Sequence, residues 1–484
     1  MFETTFLGHQ GWRVRTATTC VLIDPLLTEG FGHGGRLGRM YPPRDLDPAA
    51  LSPVDAVIVT HEHDDHFDVP SLSRIDRAIP VFVSSRSSVA AHEVVARMGF
   101  AVRPLRPDVE HAIGDLQYRT FSADHRDGRQ GDEWDVCPFV LRDRAGHGSL
   151  VSSVDVRPTP QMLAALRDVA PRPGLWTYAN NFTDVSFQRA DGPVAPTAAE
   201  SAALVRAVAT RRAEIEAHWG MPLATLVVGA GWSFPGRRQW IDAVAFPLDN
   251  DDLAAALRHE APAARVDAAV PGQTWVQIDG RLAQVRPRSP GITAWPRPRW
   301  PDRTPRARIG PPPDLEPACG RTDLPPAHWP ALREGADDLA RHLFDGPVFR
   351  GLHSYSAAGG HGRAPAVGLV LRTDAHGGHR TLRYEPRACT FAEEDHPDPR
   401  ASLTGGLELW ASDLHALCTG EIGPTALCYA GRLRVWNDRP DVVRLGPDAL
   451  WTFAHPLRRP QAAARLYETL RTAASDVTVQ VRGR

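Results

Sequence analysis

The chain of 484 residues contains no lysine; all 55 of its basic residues are arginine. Without lysine there is no Schiff base to pyridoxal phosphate, no P-loop lysine and no protein-kinase lysine. Cysteine is scarce too. Cys20, Cys137, Cys319, Cys389, Cys418 and Cys428 are scattered and form no CxxC pair. That excludes a dense disulfide scaffold and a cysteine-based zinc or iron–sulfur site, and buried structural thiols are expected instead. No window approaches the roughly 18 apolar residues of a membrane span. Met1-Phe2-Glu3-Thr4-Thr5-Phe6 has no cationic stretch ahead of an apolar run, so no secretory signal is expected and a cytoplasmic location is. A surplus of charge is also missing. With a net charge of −2, the chain has no obvious means of neutralising nucleic-acid phosphates, which takes clustered cations.

What is present divides the chain in two. In the first half, short apolar runs alternate with turns and helical stretches. Thr19–Ile23, Ala56–Thr60, Pro80–Ser84, Leu116–Phe121, Phe139–Arg142, Leu150–Val154 and Thr225–Val228 read as strands. Ala198–Trp219 reads as a helix, because Thr197 and Glu200 have capping-box spacing and Leu204, Val205, Val208 and Ile215 form an apolar stripe. Residues 286–326 are dominated by proline and arginine, which predicts an extended linker or a surface wrap. A second unit over residues 327–476 follows. Its expected elements are a helix at Leu332–Leu343, a hairpin of Ala366–Arg372 and His379–Tyr384 around Gly377-Gly378, and a strand–helix pair at Leu407–Cys418. A β-rich stretch at Thr425–Trp436 and a closing helix at Pro460–Ala473 complete it.

The strongest chemical signal is His61-Glu62-His63-Asp64-Asp65-His66, directly after the strand Ala56–Thr60. A strand that ends there and turns into a loop can project several ligands into one site. Imidazoles at i and i+2 can share one metal, and Asp65 with His66 can face a second. The mixed nitrogen and oxygen donors suit zinc, iron or manganese.

His61-x-His63-x-Asp65-His66 resembles the signature of the metallo-β-lactamase superfamily. Gly8-His9, an apolar strand and then Asp24-Pro25-Leu26 resemble the opening of its lactonase-like branch. The resemblance covers residues 1–285 and implies an αββα sandwich with two metals at one edge. It further implies that His125, after Leu116–Phe121, is the third imidazole on the first metal with His61 and His63. Asp155, after Leu150–Val154, would bridge both metals, although Val154 stands where the family commonly has glycine. The last family histidine is missing: Val266–Gly272 contains none. The second metal is therefore left with Asp65, His66 and Asp155, helped by Asn180, Asn181 or Asp184. Tyr178–Asp184, the long helix, Gly229–Phe234 and the Pro271-Gly272 turn are similar in arrangement to CMP-N-acetylneuraminate hydroxylase, an oxygenase fed through a Rieske centre. This chain has no CxH…CxxH pair and hence no such cluster.

In the second unit, Leu407–Leu414, Thr419-Gly420-Glu421 and Ala430–Val435 resemble the sterol-carrier-protein type two fold. The implied architecture is an αββα metallo-β-lactamase sandwich followed by a smaller α/β sterol-carrier-like domain, with room for an apolar ligand in the latter. Two chemistries fit. One is a hydrolase with a metal-activated water, in which Asp65 also orients the water and Asn180 and Asn181 face the substrate. The other is a non-haem diiron oxygenase, which needs an external reductase. A non-catalytic metal- or lipid-binding protein is the third expectation. Expected partners are a small-molecule or carrier-bound substrate and a second copy of the chain as a homodimer.

Overall fold

The computed structural model describes residues 1–122, 133–183, 185–192, 197–262, 265–304, 314–357, 365–398, 400–438, 443–473 and 477–481. Two units separate. One comprises Met1–Asp184, Pro196–Ala307 and Leu470–Arg484; the other comprises Val185–Ala195 and Arg308–Thr469.

The first unit is built on two sheets. One has eight strands, in the order Arg281–Arg286, Thr274–Ile278, Phe2–Gly8, Gly11–Arg15, Cys20–Ile23, Ala56–Val59, Val81–Ser84 and Val102–Leu105. Its first five strands pair antiparallel and the rest pair parallel. The other has seven: Glu110–Ile113, Leu116–Thr120, Phe139–Asp143, Ser149–Ser152, Leu175–Asn180, Thr225–Gly229 and Val266–Ala268. It too changes from antiparallel to parallel, at Ser149–Ser152. The inner faces meet in one core, where Phe6, Trp12, Ile23 and Ile58 pack with Tyr118, Phe139, Leu150 and Leu226. Ala56–Val59 is buried at every position, as expected for a central parallel strand covered on both faces.

Helices cover the outer faces. Leu163 and Leu166 of Pro160–Val169, with Ile215 and Trp219 of Ala198–Trp219, lie on Val140, Val151 and Trp176. Leu253 and Leu257 of Asn250–Glu260 lie on Val227 and Val266. Val89–Arg97 lies beside Val102–Leu105 of the first sheet. The layering is therefore helix, sheet, sheet, helix. Ala198–Trp219 begins with the capping box of Thr197 and Glu200 and ends at Gly220, whose φ of +67° suits a residue without a Cβ.

The proline- and arginine-rich stretch does more than link. Ile292–Ala294 pairs with Arg44–Leu46, and the Arg303 side chain is buried in the first unit. Asp242 is another buried charge there. Its Oδ1 accepts from the Phe234 amide at 3.1 Å, while Oδ2 has no hydrogen-bond partner. Burial pushes its pKa up to about 7, against the lowering pull of Arg303 and the Phe234 amide. A folded-state value above the ordinary carboxylate range favours the folded state below about pH 4. That contribution is lost as the pH rises toward 7. Asp242→Asn keeps an acceptor for Phe234 and removes the charge. It is expected to exceed the wild type in stability at pH 8, by about 4 kcal/mol at most, with the gap closing by pH 4. Melting temperature against pH checks this; parallel curves for the two proteins would contradict it.

The second unit has a five-stranded sheet in the order Thr390–Glu394, His379–Glu385, Val367–Arg372, Gly405–Trp410 and Arg434–Asn437. Leu339, Leu343, Leu369, Leu407, Leu414 and Leu450 form part of its core. The expected β-rich stretch Thr425–Trp436 is corrected here: Thr425–Cys428 is a short helix, and the strand is confined to Arg434–Asn437. Pro424 is already in helical conformation, and Ala426, Leu427 and Cys428 are all buried, so apolar periodicity could not separate helix from strand. A groove of about 610 Å³ in this unit is lined by charged side chains, among them Asp338, Arg341, Arg458, Arg459 and Arg465. Among the described residues, no helix is long and apolar enough to cross a membrane.

Candidate metal centre

Parallel pairing aligns the carboxyl ends of strands, and the loops leaving those ends converge. Asp24 follows Cys20–Ile23, His61 follows Ala56–Val59 one residue on, and Asp155 leaves Ser149–Ser152. The His61–His66 loop is tightened by the His66 amide donating to His63 O at 3.0 Å. Not all of its acids face the centre. The Glu62 carboxylate accepts from the Ser88 amide and hydroxyl.

The structure brings His61, His63, Asp65, His66 and Asp155 into one neighbourhood. Asp155 Oδ2 lies 3.3 Å from His61 Nε2 and 3.1 Å from His66 Nε2. Asp65 Oδ2 lies 3.8 Å from His66 Nε2. Two groups of potential ligand atoms result, each within 4.8 Å of one another: His61, His63, Glu133 and Asp155, and His9, Asp65 and His66.

Outer contacts fix which atoms face inward. Thr60 Oγ1 donates to Asp24 Oδ2 at 2.7 Å, which leaves it to accept from His61 Nδ1 at 3.0 Å. Asp24 Oδ2 also accepts from His66 Nδ1 at 2.7 Å. With both Nδ1 atoms serving as donors, the neutral rings turn Nε2 lone pairs inward. Asp155 Oδ1 is held by the side-chain amides of Gln10 and Asn181, so Oδ2 is the oxygen facing those nitrogens. His61 Nε2 is fully buried and has no hydrogen-bond partner. Three acceptor atoms thus converge in a buried place, and a cation or a proton between them resolves their repulsion.

The ionisation of the centre follows the same logic. Burial disfavours the His66 cation, but Asp155, Asp65 and Asp24 outweigh it and hold His66 well above its ordinary pKa. Burial, then the His66 charge, lowers His61. Burial opposes ionisation of Asp65 and Asp155. His66 overrides it in both cases, with His9 adding to the effect at Asp65 and His61 at Asp155, and both acids stay ionised to low pH.

The remaining expected residues divide. His125 and Asp184 lie outside the described residues. Asn180 Nδ2 donates to Leu248 O at 3.1 Å and Asn250 Oδ1 at 3.0 Å, which ties it to its own scaffold, whereas Asn181 reaches Asp155. Val154, standing in the place of a glycine, adopts φ +51°. That conformation is rare for a β-branched residue and marks strain at a functional loop.

Two residues of the ligand groups were missing from the expected set. His9 was legible only as part of Gly8-His9, and no spacing pattern marks Glu133, whose Oε2 lies 3.6 Å from His63 Nδ1. Both come from loops far in sequence from the His61–His66 cluster. Beside the centre opens a cavity of about 730 Å³, lined by Glu133, Asp155, Tyr178, Phe182, Val208 and Arg211 among others.

Residues 19–214 match the family model described as Beta-lactamase superfamily domain. The chain thus carries a metallo-β-lactamase superfamily domain. No curated protein matches it significantly. Several solved structures are similar. A possible metal-dependent hydrolase from Veillonella parvula DSM 2008 is 19% identical, with a TM-score of 0.40, over 57% of this chain and 99% of that one. An isothiocyanate hydrolase from Delia radicum gut bacteria is 15% identical, with a TM-score of 0.38, over 59% and 100%. CmlA, a diiron β-hydroxylase from Streptomyces venezuelae, is 17% identical, with a TM-score of 0.36, over 55% and 52%.

Proposed function

We propose that the metallo-β-lactamase superfamily domain of this chain is a metal-dependent hydrolase, with two divalent cations sharing Asp155 and one water between them. The observation that carries this reading is the buried meeting of His61 Nε2, His66 Nε2 and Asp155 Oδ2 at 3.1–3.3 Å, with every outer atom already satisfied. His61 and His63, with His125 or Glu133, would hold the first cation. Asp65 and His66 would hold the second, and Asp155 would bridge. Zinc, iron and manganese all accept such donors. Bound cations would supply Lewis acidity and lower the pKa of a shared water to about 7. Gln10 and Asn181 hold Asp155 through its Oδ1, which would leave Oδ2 for the cations, and Asp65 would orient the water. The neighbouring cavity admits a small molecule.

One observation favours a second reading. Glu133 beside His63 adds a carboxylate to the first group, and oxygen-rich donor sets favour iron or manganese. A diiron oxygenase on the same ligands would need an external reductase. The finer branch, lactonase-like or CMP-N-acetylneuraminate hydroxylase-like, and a sterol-carrier-like second unit binding an apolar ligand are proposals of the same standing, supported by the sequence motifs. Mass spectrometry of co-purifying lipids tests the last.

The activity test uses full-length protein with its metal content measured. It is offered ester, lactone, amide, phosphodiester and sulfate substrates, and separately oxygen with a chemical reductant. Hydrolysis that is lost with a chelator and restored by cation is expected. Reductant-dependent oxygen consumption by an iron-loaded protein with no hydrolysis would overturn the hydrolase reading in favour of the oxygenase.

A further inference from the structure

We infer that His9, at the turn of the first hairpin, is a direct ligand of the second cation and not only a neighbour of its ligands. The inference rests on the two-cation reading above. On that reading the second position has Asp65, His66, a share of Asp155 and the shared water, and a further imidazole would make it five-coordinate, a number that catalytic sites reach.

His9 is placed to supply that donor. It lies between Phe2–Gly8 and Gly11–Arg15 and is 2% exposed. Its Nε2 is 3.0 Å from Asp65 Oδ2, and the candidate ligand atoms of His9, Asp65 and His66 all lie within 4.8 Å of one another. Its Nδ1 is buried without a hydrogen-bond partner, so the ring's polar contact is made through the nitrogen that faces the centre.

Two features show that the scaffold is shaped around this side chain. The His9 backbone sits at φ +53°, a conformation that glycine or asparagine adopts at lower cost. A histidine held there points to a role for its ring. The space above it is kept by Gly231, where a Cβ would lie 2.5 Å from both Cβ and Nδ1 of His9. The Gly229 amide donates to His9 O at 3.0 Å, and the Phe31 ring meets the imidazole edge-on at 4.9 Å. Ring orientation is thus set by packing before any cation arrives, which is the preorganisation a ligand needs.

The rival role is a hydrogen-bond donor that merely orients Asp65. Two variants of the full chain separate the roles. His9→Asn suits the left-handed backbone and so preserves the turn, but it is too short to reach the centre. His9→Gln keeps an amide donor toward Asp65 while losing the imidazole. Cation-free wild type and both variants are titrated with cobalt(II). Calorimetry reads stoichiometry and affinity, and the visible ligand-field absorption reads the donor set.

The wild type is expected to take two equivalents. Both variants should retain the first and bind the second at least about tenfold more weakly, with an altered spectrum, and added imidazole should restore His9→Asn. If the wild type takes two and either variant binds the second with unchanged affinity and spectrum, His9 is not a ligand. Recovery by His9→Gln alone would assign it the orienting role and overturn the proposal. A wild type that takes fewer than two overturns the two-cation reading itself.

Discussion

Asp155→Ala is expected to empty both cation positions at once. Its Oδ2 lies 3.3 Å from His61 Nε2 and 3.1 Å from His66 Nε2, so its removal breaks the first ligand group and takes a donor from beside the second. Changes to outer contacts of metal sites weaken affinity about 10–100-fold. Loss of a shared inner ligand should exceed that, and turnover should fall by at least about 100-fold. His63→Ala touches one group only and should lower occupancy of the first position more than of the second. Elemental analysis of both variants after desalting provides the check. Full stoichiometry in Asp155→Ala would move the bridge elsewhere.

The largest expected effect on stability lies at Arg303. This guanidinium, only 6% exposed, lies 3.4 Å from the Tyr41 ring centroid and 3.9 Å from that of Phe246. It donates to Ala230 O at 2.9 Å and also to Trp232 O. Arg303→Ala leaves buried carbonyls unpaired and a void between two rings, which should cost about 3–5 kcal/mol. Because Gly231 lies between those carbonyls and abuts His9, the second cation should also be held less tightly. Arg303→Lys keeps the charge without the flat fork and should fall in between. Urea denaturation of the three proteins measures this. A loss below about 1 kcal/mol in Arg303→Ala would mean that the loop holds its shape unaided.

How much of this was legible follows from the range of each signal. The His61–His66 cluster is local, and its place after an apolar strand makes it readable. The capping box at Thr197 and Glu200 is local in the same way. Asp155 stands out only through the superfamily resemblance, which expects a carboxylate after that strand. His9 and Glu133 carry no such mark, because a single histidine or acid gains meaning only when sheet pairing brings it within 4.8 Å of others. Asn180 looked like its neighbour in sequence, yet at the end of Leu175–Asn180 it points to Leu248 and Asn250 while Asn181 turns to Asp155. Strand alternation separates adjacent residues in this way. Arg303 was hidden by its surroundings, since a proline-rich stretch reads as solvent-exposed chain until buried anchors such as Ile292 and Arg303 are seen.

Anomalous diffraction from crystals of the full chain equilibrated with manganese or zinc tests the central claim most directly. Two peaks are predicted, roughly 3.5–4 Å apart, with Asp155 between them. One should lie within bonding distance of His61 and His63, and the other of Asp65 and His66. Peaks confined to other parts of the molecule, or none at saturating cation, would contradict the account.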